Sequence, residues 1–208
     1  MTATAIKRAA LSHFARNGYE GTPLSDIAKE VGIKTPSLYA HFRSKEELFF
    51  SVFDDVLQEQ SSRTKELIAS IQSTTTEDML YTILKHSCDD YLLGEEKVTF
   101  LKRAMLFPPA FMQDQLHRRF MESEQTITDE LRDIFRAAIS EGIVREEPLE
   151  DLIASYLCLM DGCFLQLFYY GRHDFERRLA CVWRIFWDGI TKTGTDRPPG
   201  QATPPARS

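Results

Sequence analysis

Apolar residues recur every three or four positions along almost the whole chain, and the breaks between those runs hold residue types that start and stop helices. Ile6, Ala9, Ala10, Leu11, Phe14 and Ala15 mark one face of a helix over residues 2–17, which Gly18 ends. Leu24, Ile27, Ala28 and Val31 repeat the pattern after Thr22-Pro23, where a hydroxyl can cap backbone N–H groups and proline suits the first helical position. Gly32 stops this second helix, because glycine enters left-handed backbone at little cost. Only Ile33 and Lys34 separate it from a second Thr-Pro start, Thr35-Pro36, and the short helix opening there turns Leu38 and Phe42 inward. So brief a connection makes the two helices cross steeply, the helix-turn-helix arrangement. Ser44 then caps a long helix reaching about Ile71, and Glu47 three residues on completes a capping box.

The rest of the chain continues in the same period. Residues 73–76 read as a loop, and Glu77-Asp78 suit the first turn of a helix running to about Leu93. A shorter helix follows over about 97–106 before Pro108-Pro109, then a long one from about Gln113 to Glu141, stopped by Gly142. Pro148 opens a strongly apolar helix that closes at Gly171, and the last runs from about Phe175 to Thr191. No stretch alternates convincingly as a strand. The expected fold is all-α with about nine helices. It comprises a head over residues 1–47, a helical body over 48–192, and a proline-rich tail over 193–208 with nothing to pack, expected to be disordered.

Composition adds little until it is divided. The 208 residues are 43% hydrophobic and 27% charged, an ordinary globular balance. Through residue 45, however, seven Lys/Arg stand against three Asp/Glu, while the remainder carries 18 against 28. A basic head on an acidic body suits a protein that meets phosphates at one end only.

Residues 153–170, with Asp161 as their single formal charge, approach the length of a membrane span, but an aspartate at mid-span costs about 2.5–3.5 kcal/mol and no basic flank orients the segment. A helix buried in the core or in a subunit interface is expected instead. The first residues lack the long apolar core of a signal peptide, and Cys88, Cys158, Cys163 and Cys181 have no CxxC spacing, so buried thiols in a cytoplasmic protein are expected. The five histidines do not fall at metal-ligand spacing with cysteines or carboxylates, and no HExxH, GxSxG or glycine-rich loop occurs. Neither an enzyme, a cofactor nor a metal is therefore expected.

AALSHFARNGYEGT, LSDIAKEVGI and SLYAHFRSKEELF, all within residues 6–49, resemble the DNA-binding domain of the TetR family of transcriptional regulators. The resemblance implies a homodimer bound to a partly palindromic operator, with a second helical domain that senses a small molecule. It places Thr35, Pro36, Ser37 and His41 near base edges and gives Tyr39 and Lys45 to phosphates, with Thr22 and Lys34 completing the DNA-facing set. Three positions depart from the family pattern: Lys34 stands where serine is common, Pro36 where glycine is common, and Ala40 where a larger polar residue is common. Pro36 lacks a backbone donor, so its contacts must be apolar.

Aromatics crowd the middle of the body: Tyr91, Phe100, Phe107, Phe111, Phe120, Phe164 and Phe168. Such stripes more often fill a core; the resemblance moves the reading toward the wall of a pocket for a small hydrophobic or aromatic effector. Asp161 could face a cationic ligand, although Asp161-Gly162 also resembles a family packing feature in which Gly162 lets a partner helix approach. Trp183, Phe186 and Trp187, with Tyr156 and Gly162 on the preceding helix, are the expected dimer contacts. The expected function is a ligand-responsive repressor. A DNA-binding architectural protein without an effector is the alternative.

Overall fold

The computed structural model describes residues 2–71, 75–93 and 95–191, with the side chains of 90–93, 95 and 168 excepted. The tail expected over 193–208 and residues 73 and 74 of the loop expected over 73–76 lie outside the described residues. What is described is helical: α1 Ala3–Asn17, α2 Leu24–Glu30, α3 Thr35–Leu38, α4 Lys45–Ser70, α5 Thr76–Leu93, α6 Glu95–Leu106, α7 Gln113–Ser140 and α8 Leu149–Ile190. Gly171 interrupts α8 with φ 70°, ψ 174°, a conformation open essentially to glycine alone, so α8 is two arms, 149–170 and 172–190. Nine helical segments result among the described residues. The one β-type pairing among the described residues is an isolated bridge between Val144 and Thr191, which ties the end of the second arm to the turn after α7.

The local signals act largely as expected. The Ser44 hydroxyl accepts the Glu47 backbone N–H at 3.0 Å, and the Glu47 carboxylate reaches back to the Arg43 backbone N–H at 2.6 Å. Gly18, φ 72° and ψ 179°, turns the chain sharply out of α1. Thr22 differs from expectation. It is fully buried, and its hydroxyl donates toward the carbonyls of Gly18 (2.7 Å) and His13 (3.1 Å), so it secures the C-terminal end of α1 and does not cap α2. Neither α2 nor α3 has a side-chain cap at its start.

Two apolar clusters form. The first packs Ile6, Phe14, Ile27, Leu38 and Phe42 of the head against Leu48, Phe49, Phe53 and Val56 of α4, Phe100 and Ala104 of α6, and Leu116 of α7. It continues past residue 47, so the head rests on a floor built by the body. The second joins α5, the later part of α7 and both arms of α8, around Leu84, Phe135, Tyr156, Leu167 and Trp183. The Tyr156 hydroxyl, fully buried, donates to the Leu80 carbonyl at 2.7 Å, as a buried polar group requires.

Segment 153–170 is not buried all round. Ile153, Tyr156, Cys163 and Leu167 face the core, whereas Cys158, Gly162, Leu165 and Tyr169 face out. The cysteines divide likewise: Cys88 and Cys163 are buried, Cys158 and Cys181 exposed, all four as free thiols.

Candidate nucleic-acid interface and effector cavity

Packing Leu38 and Phe42 beneath the turn leaves the other side of α3 in solvent. Lys34, Pro36, Ser37, Tyr39 and His41 are exposed there and Thr35 is half-buried, while Lys45, also half-buried, stands at the start of α4. Thr22 is the exception, since burial and its two carbonyl partners remove it from any ligand.

The basic excess of the head divides in two. Lys7 pairs with Asp55 of α4 at 2.7 Å, and Arg16 approaches Glu96 of α6 at 3.6 Å, both fastening the head to the body. Arg8, Lys29, Lys34 and Arg43 form no ion pair among the described residues and keep their charge available to solvent; spacing alone did not single out Arg8, Lys29 or Arg43.

Lys45 is held by its neighbours. Its ammonium lies 4.4 Å from the centre of the Tyr19 ring and 3.5 Å from the Glu20 carbonyl. Partial burial lowers its pKa from the ordinary lysine value, with Glu20 acting in the opposite sense. Tyr19 in turn stands edge-on to Phe49 (5.3 Å between centroids) and to Phe111 (5.7 Å). A body residue therefore helps orient the lysine at the N-terminus of α4.

The body encloses a cavity of about 350 Å³ bounded by α4, α5, α6, α7 and the first arm of α8. Its wall is mainly apolar, with Leu57, Leu101, Met105, Ile127, Leu157 and Met160 prominent. Two charged groupings stand at its margin. Glu59 of α4 binds Lys97 through both carboxylate oxygens at 2.6 Å and Arg63 at 2.8 Å, and the Lys97 hydrogen bond chiefly holds the Glu59 carboxyl below its ordinary pKa. On the far side Lys102 of α6 lies 3.3 Å from Asp161 and 4.3 Å from the centre of the Phe164 ring, with Glu124 of α7 close by.

Of the aromatic set expected on this wall, Phe120 and Phe164 line the cavity. Phe100 does not: it packs at 5.1 Å against Phe49 and belongs to the cluster beneath the head. Phe107 (79% exposed) and Phe111 lie in the turn after α6, outside the cavity. The side chains of Tyr91 and Phe168 fall outside the described residues. The residues that sequence reasoning missed are the aliphatic and polar ones, which carry no signal distinguishing a cavity wall from a core.

The expected dimer contacts also divide. Tyr156 and Trp183 are buried within their own chain, Trp183 stacked on Trp187 at 5.8 Å and against Tyr81 at 5.5 Å, so neither has surface to offer a partner. Phe186 and Trp187 are half-buried against the same core. Gly162 is exposed, and a Cβ there would meet nothing within 4 Å. Beside it runs an outward apolar stripe, Cys158, Leu165 and Tyr169 on the first arm and Val182, Ile185 and Gly189 on the second.

Comparison with known proteins agrees with this geometry. Residues 6–52 match the family described as "Bacterial regulatory proteins, tetR family". The fatty acid metabolism regulator protein of Bacillus subtilis is 27% identical over 147 residues, 69% of each chain. The negative transcriptional regulator IcaR of the icaADBC biofilm operon of Staphylococcus epidermidis is 50% identical, but over 40 residues only, 19% of this chain and 22% of that one. The crystal structure of the transcriptional regulator FadR from Bacillus subtilis in complex with stearoyl-CoA superposes with a TM-score of 0.70 at 21% identity, covering 91% of this chain and 100% of the other. The head thus carries the DNA-binding domain of the bacterial tetR regulatory family over residues 6–52, and the described chain has the same fold as the solved FadR structure.

Proposed function

We propose that the chain is a repressor that binds a palindromic operator as a homodimer and leaves it when a small effector with an apolar body enters the cavity. The observation that carries this reading is the position of the cavity: α4 and α6 form its wall and both also hold the head. A ligand there acts on DNA only through a difference in its affinity for two arrangements of the protein. The stearoyl-CoA complex of the Bacillus subtilis structure supports an apolar body for the effector, as does the wall itself.

The DNA contacts we assign to Lys34, Thr35, Pro36, Ser37, Tyr39, His41 and Lys45, with Arg8, Lys29 and Arg43 adding unpaired charge near the backbone. Two heads in a two-fold dimer require half-sites about 34–36 Å apart or a multiple of it. The dimer face we assign to Gly162 and the outward stripe of Leu165, Tyr169, Val182 and Ile185.

Selection of bound sequences from a random duplex library at moderate salt tests the reading. An enriched inverted repeat is expected. Binding without an enriched motif would replace it with an architectural role.

A further inference from the structure

The far margin of the cavity combines three features. An ammonium, that of Lys102, already sits 4.3 Å from the centre of the Phe164 ring and 3.3 Å from an Asp161 carboxylate oxygen. A second carboxylate, Glu124, lines the same end of the cavity and has no ion pair or hydrogen bond among the described residues. The adjoining wall is apolar, with Leu101, Met105, Leu157 and Met160 leading away from the charged end. Burial, and after it the charge of Asp161, raises the pKa of the Glu124 carboxyl, as it would for a carboxylate without a counter-charge.

Asp161 alone holds this cation while Glu124 has none among the described residues, and the cation is the tip of a flexible side chain at a distance long for a tight pair. Lys102 is half-exposed and can swing to solvent. An aromatic face next to carboxylates is the setting in which desolvated cations, quaternary ammonium groups in particular, are bound most strongly.

We infer that the effector is an amphipathic cation, its apolar body in the cavity and its ammonium head between Asp161 and Glu124 over the Phe164 ring, where it displaces Lys102. This rests on the cavity being the effector site, and it adds the chemistry of the head group. Lys102 then acts as an internal competitor that occupies the cation position while the cavity is empty.

Calorimetric titration of the full chain with decyltrimethylammonium, decanoate and decanol, all below their micelle concentrations, tests the inference. Decyltrimethylammonium is expected to bind about tenfold more tightly than either of the others. Lys102→Met is expected to tighten the cation further, and Glu124→Gln to weaken it severalfold while leaving decanol unchanged. Decanoate binding best, and more weakly in K102M, would overturn the cationic head and leave the cavity as an effector site. Equal binding of all three would overturn it as well. Failure of all three to bind would remove both the head group and the cavity reading.

Discussion

Replacing Ile185 by glutamate tests the assignment of the dimer face where it departs most from the sequence. Full burial of an aliphatic side chain is worth about 1.5–3 kcal/mol. Ile185 is 60% exposed in the single chain, so about 1–2 kcal/mol remains for a partner to gain, or about 2–4 kcal/mol for the two symmetric copies. At about 1.4 kcal/mol per tenfold, that is a weakening of the dimer by roughly 30- to 700-fold before any charge is considered. Burying the new carboxylate without a partner adds more against association than the ~1–3 kcal/mol that an unpaired neutral polar group costs. Light scattering at micromolar concentration should then give a monomer mass for I185E and a dimer mass for the parent chain. Far-ultraviolet circular dichroism should be unchanged, because the side chain already faces solvent. The opposite pattern is expected of Trp183→Ala on the same arm, where removing a buried aromatic costs about 3–5 kcal/mol of folding stability. A dimer mass persisting in I185E would remove this face from the interface.

Other consequences can be measured separately. Lys45→Ala should weaken specific and non-specific DNA alike and reduce the slope of log affinity against log salt by about one unit; an unchanged slope would take Lys45 out of the phosphate contacts. Tyr156→Phe removes a buried hydrogen bond to the Leu80 carbonyl and should lower stability by about 0.5–1.5 kcal/mol in urea unfolding, with the dimer mass unaffected. In the I185E monomer, iodoacetamide at neutral pH should label the exposed Cys158 and Cys181 readily and leave Cys88 and Cys163, whose pKa values burial pushes up to about 12 and about 11, unmodified until the chain unfolds. Because these two thiols hold their protons more tightly in the fold than in the unfolded chain, their contribution to stability should be constant below about pH 9 and fall as pH rises toward 11–12; urea midpoints that stay flat across that window would contradict it. Arg103→Ala removes donors from the Ala15 and Arg16 carbonyls, and hydrogen exchange should quicken by up to about fivefold in α1 but not in α5 or α8.

The head was readable because its signals are local. A Thr-Pro start, a glycine stop and a Ser-Glu capping box each act within a few residues, so their agreement could be read along the chain. Thr22 shows where that ends: its hydroxyl lies beside the carbonyls ending α1 because Gly18 bends the chain back, a relation between two helices. Trp183 and Ile185 make the same point on the last arm. Both are apolar and two residues apart, so they face different sides, and a helix apolar on both faces gives no periodic clue to which side its own chain covers. The cysteines of α8 divide for the same reason. Phe100 was expected on the effector wall and instead enters the cluster beneath the head, since which apolar cluster it joins depends on how α6 is shared between head and body.

That sharing gives the proposed response its physical route. Along α6, Val98, Leu101, Lys102 and Met105 line the cavity, while Phe100 and Ala104 pack under the head and Arg103 donates to the last carbonyls of α1, at 3.1 Å from Ala15 and 2.7 Å from Arg16. Glu96 adds a hydrogen bond from the Ser12 hydroxyl. Along α4 the division is by length with an overlap: Leu48, Phe49 and Phe53 lie in the cluster beneath the head, Val56 and Leu57 belong to both, and Glu59, Gln60, Arg63 and Thr64 line the cavity. A molecule filling the cavity thus presses on two rods that both grip the head, one at α1 and one through the shared apolar floor. Close-packed interiors shift between discrete arrangements more readily than they deform, so a change in the angle between α4 and α6 must carry α1 with it. The helix-turn-helix rests on α1 through Ile27, Phe14 and the Thr22 hydroxyl and on the start of α4 through Leu38 and Phe42, so it moves with both.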